Sequence, residues 1–229
     1  MLIFGSGLID NPPALIAFLL AVSVALVVGL SFHECCHAWM AKELGDDTAA
    51  RQGRLTLNPV AHIDPFGALM MFLIGFGYAK PTPVNPYRLS LGPKAGSALV
   101  AVAGPVSNFV IATLCAIPLR LGWIDAVGSF EGITDASGEE ILGLFIFFIL
   151  YINVVLGIFN LIPIHPLDGF KVLVGILPGE LSRQVQSLAP YGPGILMTLI
   201  VVSWIAPPQY NVLGRIFDTV GTAVFRLLL

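Results

Sequence analysis

Five residues, His33-Glu34-Cys35-Cys36-His37, carry the clearest chemistry in this 229-residue chain. On a helix, positions i and i+4 lie about 40° apart around the axis and about 6 Å apart along it, so both imidazoles can grip one metal ion. Glu34 projects in another direction and does not complete that grip, but it can reach a water beside the metal, which is the place of a general base. Catalytic zinc commonly takes three protein ligands and leaves one position open, so the two histidines call for a third partner from elsewhere in the chain.

The elements that must position these residues are apolar. Hydrophobic residues make up 56% of the chain and charged residues only 11%, against about a quarter charged in a soluble domain, so most of the surface must face lipid. The expected fold is an α-helical integral membrane protein, a polytopic bundle of about four to six spans. The 11 Lys and Arg against 14 Asp and Glu give a net charge of −3, which leaves no basic footprint for nucleic acid. The three cysteines include an adjacent pair, Cys35-Cys36, and one inside an apolar run, Cys115, so they read as free thiols.

Ala14 to Ser31 is long enough to cross a bilayer, and His33 to Lys42 continue the same helix. Ser97–Leu119 and Ile141–Ile162 are the second and third spans. Gly192–Ala206 is a shorter fourth, and Val212–Leu229 reads as either a fifth span or an interfacial helix. Phe66–Phe76 is only half a span long and runs into Lys80-Pro81-Thr82-Pro83-Val84-Asn85-Pro86, so residues 66–86 are expected to form a short re-entrant or extended element. The whole chain, 1–229, is read as one domain, with a catalytic core at about 14–178 and C-terminal helices at about 190–229.

Loop charge sets the orientation, because Lys and Arg accumulate on the cytoplasmic side. Lys42, Arg51, Arg54, Lys80, Arg88 and Lys94 lie between the first and second spans, whereas Arg120 is the one basic residue between the second and third. The N-terminus is therefore expected outside a plasma or inner membrane. The ends of the first and third spans then arrive at the same cytoplasmic depth, bringing Asn160–Asp168 to His33–His37. Candidates for the third ligand at that depth are Asp168, His165, Cys36, His62 and Asp64. Asp168, beside Gly169 after a proline-bracketed turn, is preferred; its competing reading is an N-cap of the following helix. Cys36 reads as a packing thiol, His165 as a polar gate, and Asn153 as an interhelical hydrogen bond.

The stretches Phe32–Ala38, Gly53-Arg54-Leu55-Thr56-Leu57-Asn58-Pro59 with His62-Ile63-Asp64-Pro65, Ala103-Gly104-Pro105 with Asn108, Phe159–Pro163 and Pro166-Leu167-Asp168-Gly169 resemble, in order, the motifs of the site-2 protease family of intramembrane zinc metalloproteases. The resemblance covers roughly residues 20–175, in the compact form without added soluble domains. It implies His33, His37 and Asp168 as ligands of one Zn2+ per chain, Glu34 as the catalytic base, and Asn160 near the bound substrate backbone. Arg54, Asn58, His62 and Asp64 are family-like and read as loop-structuring.

The function expected is zinc-dependent cleavage of a peptide bond within or near a transmembrane segment. The partners are a transmembrane protein substrate and the bilayer, with a regulatory partner and the oligomeric state left open. The alternatives are a membrane metal transporter, which predicts polar residues at several depths along the spans, and a non-catalytic substrate-binding relative, against which the intact Glu34 speaks.

Overall fold

The computed structural model describes residues 10–64, 67, 79–128, 133–205, 207 and 210–229. Helix α1, Pro12–Glu43, is apolar all round until its last turns, as a lipid-facing span requires. Asn11 accepts from the Ala14 N–H at 3.3 Å, and Pro12 and Pro13 occupy the first turn, where a missing N–H costs nothing. The helix ends at Leu44, and Gly45, at φ +97°, turns the chain away. A single turn, α2 (Thr48–Arg51), opens the loop that follows.

Two further long helices complete the central bundle: α3 (Gly92–Arg120) and α4 (Gly138–Asn160). Ser137 and Glu140 close a reciprocal capping box at the start of α4. Helices α1, α3 and α4 all pack on one another. The short α5 (Asp168–Ile176) lies against α3, and α6 (Gly179–Gln186) leads to α7 (Gly192–Ile205). Among the described residues, four stretches are long and apolar enough to cross a membrane: the three long helices and Gly179–Ile205. The fold is thus a helical polytopic membrane protein; the three long helices begin and end within a few residues of the expected spans, whereas the fourth apolar stretch starts at Gly179 rather than at Gly192.

The C-terminal stretch, left undecided by composition, is α8 (Val212–Ile216), a π-helical turn at Phe217–Gly221, and α9 (Thr222–Leu228). Gly221 lies beside Ile158, Phe225 stacks on Tyr151 with ring centroids 5.7 Å apart, and Arg120 donates to the Leu227 carbonyl at 2.8 Å. This stretch therefore runs antiparallel to α4 along the bundle rather than lying across one end. Its Ile216, Phe217, Val224 and Phe225 cover the core of Ala112, Ala116, Leu150 and Val154.

The short apolar stretch Phe66–Phe76, expected as re-entrant, lies outside the described residues except for Gly67. The part from Ala79 to Asn85 is extended and is fastened at intervals to the loop after α1. Ala79 bridges Ile63, Lys80 N–H donates to the His62 carbonyl at 2.8 Å, and Arg54 donates to the carbonyls of Ala61 and Lys80. The buried Asp46 accepts from Thr48 N–H at 3.1 Å, the Thr48 hydroxyl at 2.5 Å and Asn85 N–H at 2.6 Å. Burial alone would raise the Asp46 pKa, but these donors, with Arg88 nearby, hold it below the usual carboxylate value.

Asp46→Ala strands the Thr48 and Asn85 donors and is expected to cost about 1–3 kcal/mol of stability, read as a lower thermal midpoint in detergent at pH 7. Because the folded carboxyl titrates below the unfolded value of about 4, its contribution is complete above that value and lost as pH falls through the folded one. The gap between wild type and variant should therefore be constant at neutral pH and shrink below about pH 4.

Candidate metal centre

Near the end of α1, His33 and His37 project from successive turns onto the same side, with ring centroids 4.6 Å apart. Their Nε2 atoms lie 3.0 Å from each other and 3.0 and 3.1 Å from the same oxygen, Asp168 Oδ2. All three residues are buried. Among the described residues, this is the one group of three or more metal-ligating side chains whose donor atoms converge within 4.8 Å.

Asp168 reaches the histidines because the turn after α4 folds back tightly. Gly169 allows that fold: a Cβ there would stand 2.2 Å from the Leu161 carbonyl oxygen. Leu167, not Asp168, occupies the N-cap position of α5, and Asp168 turns its carboxylate into the bundle instead of capping the helix. The exposed ammonium of Lys171 stands 3.9 Å from the other oxygen, Oδ1.

The remaining ring nitrogens identify the protons. His37 Nδ1 lies 2.8 Å from the Val100 carbonyl, which can only accept, so Nδ1 carries the hydrogen. His33 Nδ1 lies 2.7 Å from Asn108 Oδ1. With both Nδ1 atoms donating, the two Nε2 atoms of neutral imidazoles present lone pairs to each other and to a carboxylate oxygen. Three acceptors can share this space only around positive charge, either a proton on one ring or a metal cation. Two imidazoles and a carboxylate are a donor set of catalytic zinc, so the residues present fit the metal.

Helix α3 passes directly over the pair. A Cβ on Gly104 would fall 2.5 Å from His37 Nε2 and Cε1 and 2.6 Å from His33 Cε1, so only glycine fits. Pro105, inside α3, removes an N–H from the same region of the helix.

Glu34 is buried on another side of α1. Its Oε2 accepts from Thr82 N–H at 3.0 Å and from the Thr82 hydroxyl at 2.7 Å. The extended segment thus holds the Glu34 carboxylate from below.

Other candidates take different places. Asn160, near the end of α4, donates to the Leu156 carbonyl of its own helix at 3.0 Å. The His165 ring packs edge-on against Phe170 at 5.6 Å between centroids, and Cys36 remains a free, half-buried thiol outside the cluster. His62 is fully buried with Nε2 2.7 Å from the Thr56 carbonyl, and Asp64 accepts from Gly67 N–H at 2.8 Å, so both organise the loop. Three participants are not identified by the sequence reading: Asn108 as partner of His33, the Val100 carbonyl, and Thr82. Only Asn108, a buried amide on an apolar span, leaves a trace in composition.

The sequence pattern of peptidase family M50 matches residues 21–200, which include all three residues of the cluster. YwhC of Bacillus subtilis (strain 168), provisionally named a zinc metalloprotease, is 36% identical over 216 residues, covering 90% of this chain and 93% of that protein. Rip2 of Mycolicibacterium smegmatis, with a similar provisional name, is 26% identical over 221 residues, 94% of this chain and 80% of that protein. Zinc metalloprotease MJ0392 of Methanocaldococcus jannaschii is 28% identical over 223 residues, 96% of this chain and 52% of that protein. No solved structure matches the chain at a significant level.

Gly104→Ala must push the two imidazoles apart or displace α3. Purified variant is expected to retain far less metal than wild type by elemental analysis, with its helical content preserved.

Proposed function

The chain belongs to peptidase family M50, whose members are zinc metalloproteases, and from that premise we propose that it is an intramembrane endopeptidase in which His33, His37 and Asp168 hold one Zn2+ and Glu34 is the general base. The observation that carries this reading is the meeting of three buried lone-pair donors from α1 and α5 beside an ordered carboxylate. Zinc bound there supplies a Lewis acid that activates water as a nucleophile and polarises the scissile carbonyl.

The chain's own residues do the rest. Glu34 takes the proton of the attacking water and delivers it to the leaving amine as the C–N bond breaks. Two donors from Thr82 restrict its carboxylate to one orientation, which leaves Oε1 free for the transfer. His37 and His33 are held by Val100 and Asn108, so the ligand set does not have to be assembled when substrate arrives.

The proposed substrate is a transmembrane segment of another membrane protein. A peptide carbonyl inside a helix is bonded to the N–H four residues on and shielded by side chains, so the segment must be locally unwound before attack. The extended run Ala79–Asn85 beside Glu34 and the Asn160 amide at the end of α4 are suited to support an unwound strand. The accumulation of Lys and Arg between α1 and α3 supports a cell-membrane protein with its N-terminus outside and its site toward the cytoplasm.

Glu34→Gln is expected to lower the cleavage rate by roughly 10²–10⁴ while zinc content stays at the wild-type level. Comparison of membrane proteomes from wild-type and Glu34→Gln cells should then reveal accumulating single-span precursors, and normal cleavage by the variant would overturn the assignment. Thr82→Val removes one hydrogen bond to Glu34 and is expected to lower kcat about tenfold with little change in KM, whereas Thr82→Ser should keep near wild-type kcat.

A further inference from the structure

The hydrogen bond from His33 to Asn108 does not end at Asn108. Asn108 Nδ2 donates to the Gly29 carbonyl of α1 at 3.1 Å and to Asn153 Oδ1 of α4 at 2.9 Å, and Asn153 Nδ2 donates to the Ile149 carbonyl at 2.8 Å. Both asparagines are fully buried.

Each orientation in this chain is forced by the one behind it. The Ile149 carbonyl only accepts, so the Asn153 group facing it is the NH2 and the group facing Asn108 is the oxygen. The Gly29 carbonyl also only accepts, so the Asn108 NH2 lies between two acceptors and its oxygen is left for His33. His33 Nδ1 must then carry the hydrogen, which bares Nε2 toward the cluster. A reversed Asn108 amide would set its oxygen against the Gly29 and Asn153 oxygens while offering His33 a donor. That would favour the opposite tautomer, whose Nε2–H cannot ligate a metal. Gly29 makes the contact possible: a Cβ there would stand 3.1 Å from Asn153 Oδ1 and 2.7 Å from Leu156 Cδ1.

We propose that Asn108 and Asn153 are positioning residues, a relay across three helices that fixes His33 in the Nδ1–H tautomer and so sets how tightly the centre holds its metal. The relay rests on the assignment of His33 as a ligand. Asn153, on α4, acts through Asn108 without joining the cluster itself.

The test uses the full chain purified in detergent. Zinc affinity is measured by competition with a chelator of known affinity, and the His33 tautomer of metal-free protein is read from the 15N shifts of labelled imidazoles. Wild type should show a protonated Nδ1 at His33; a bare Nδ1 there overturns the relay without any variant. Asn108→Leu and Asn153→Leu should each weaken zinc binding by about 10–100-fold, the former more, with a mixed tautomer signal. Asn153→Asp keeps a side-chain acceptor oxygen toward Asn108 and should restore affinity to within a few-fold of wild type. Unchanged affinity and 15N shifts in Asn153→Leu, or equal losses in the Leu and Asp variants, overturn the relay. His33→Ala separates the two ideas: if it binds zinc as wild type does, the ligand assignment fails. If it loses zinc while the asparagine variants remain silent, only the relay fails.

Discussion

Two imidazole nitrogens and one carboxylate oxygen, 3.0–3.1 Å apart inside a helical bundle, repel one another, and the rest of the structure is organised around holding them there. Lone pairs facing each other without a hydrogen between them are costly in a medium of low dielectric constant. The arrangement persists only with positive charge at its centre and a backbone stiff enough to keep the three groups from separating. One helix satisfies half of that demand, because His33 and His37 lie on adjacent turns of α1 and need no tertiary contact to stay close. The third atom comes from more than 130 positions later in the sequence and depends on packing throughout.

That packing relies on small residues. Hydrophobic burial drives little association between helices in lipid, so membrane helices gain stability by close approach of their backbones. Gly104 lets α3 lie over the imidazoles, Gly29 brings α1 against α4, and Gly169 folds α5 back onto the end of α4. A methyl on Gly104 would strike the two imidazoles, one on Gly169 the turn that carries Asp168, and one on Gly29 would strike Leu156 and crowd Asn153. These three glycines therefore act on the geometry of the site as much as on the bundle.

The distinction between side-chain and backbone chemistry explains what the sequence makes legible. The long helices α1, α3 and α4 can be read from uninterrupted apolar runs, and the pair His33 and His37 from their spacing. Asp168 follows once loop charge places two distant polar clusters at one depth. The Val100 carbonyl leaves no mark, because every residue has one. Thr82 is hidden because its contact with Glu34 depends on the path of an extended segment that has no periodicity to read. The course of Val212–Leu228 is equally hidden: Arg215, Asp218 and Arg226 suit a surface helix, and only tertiary contacts with Tyr151, Ile158 and Arg120 reveal a stretch lying along the bundle.

The loop beneath the bundle gains a purpose from these contacts. Asp46, His62 and Arg54 are buried polar residues in this segment, and each such group costs stability unless it finds a partner. Their partners lie on or beside the extended run: Arg54 on the carbonyls of Ala61 and Lys80, His62 through its carbonyl on Lys80 N–H, and Asp46 on Asn85 N–H. Pro81, Pro83 and Pro86 have no N–H, so the run cannot pair continuously as a strand and must be fastened at single points. Thr82 lies between the two anchored ends and meets Glu34. A carboxylate held by an anchored segment keeps its orientation without help from substrate, whereas one held by a free loop would sample many. The buried polar loop thus does for Glu34 what the asparagine chain does for His33, and it does so from another side of α1.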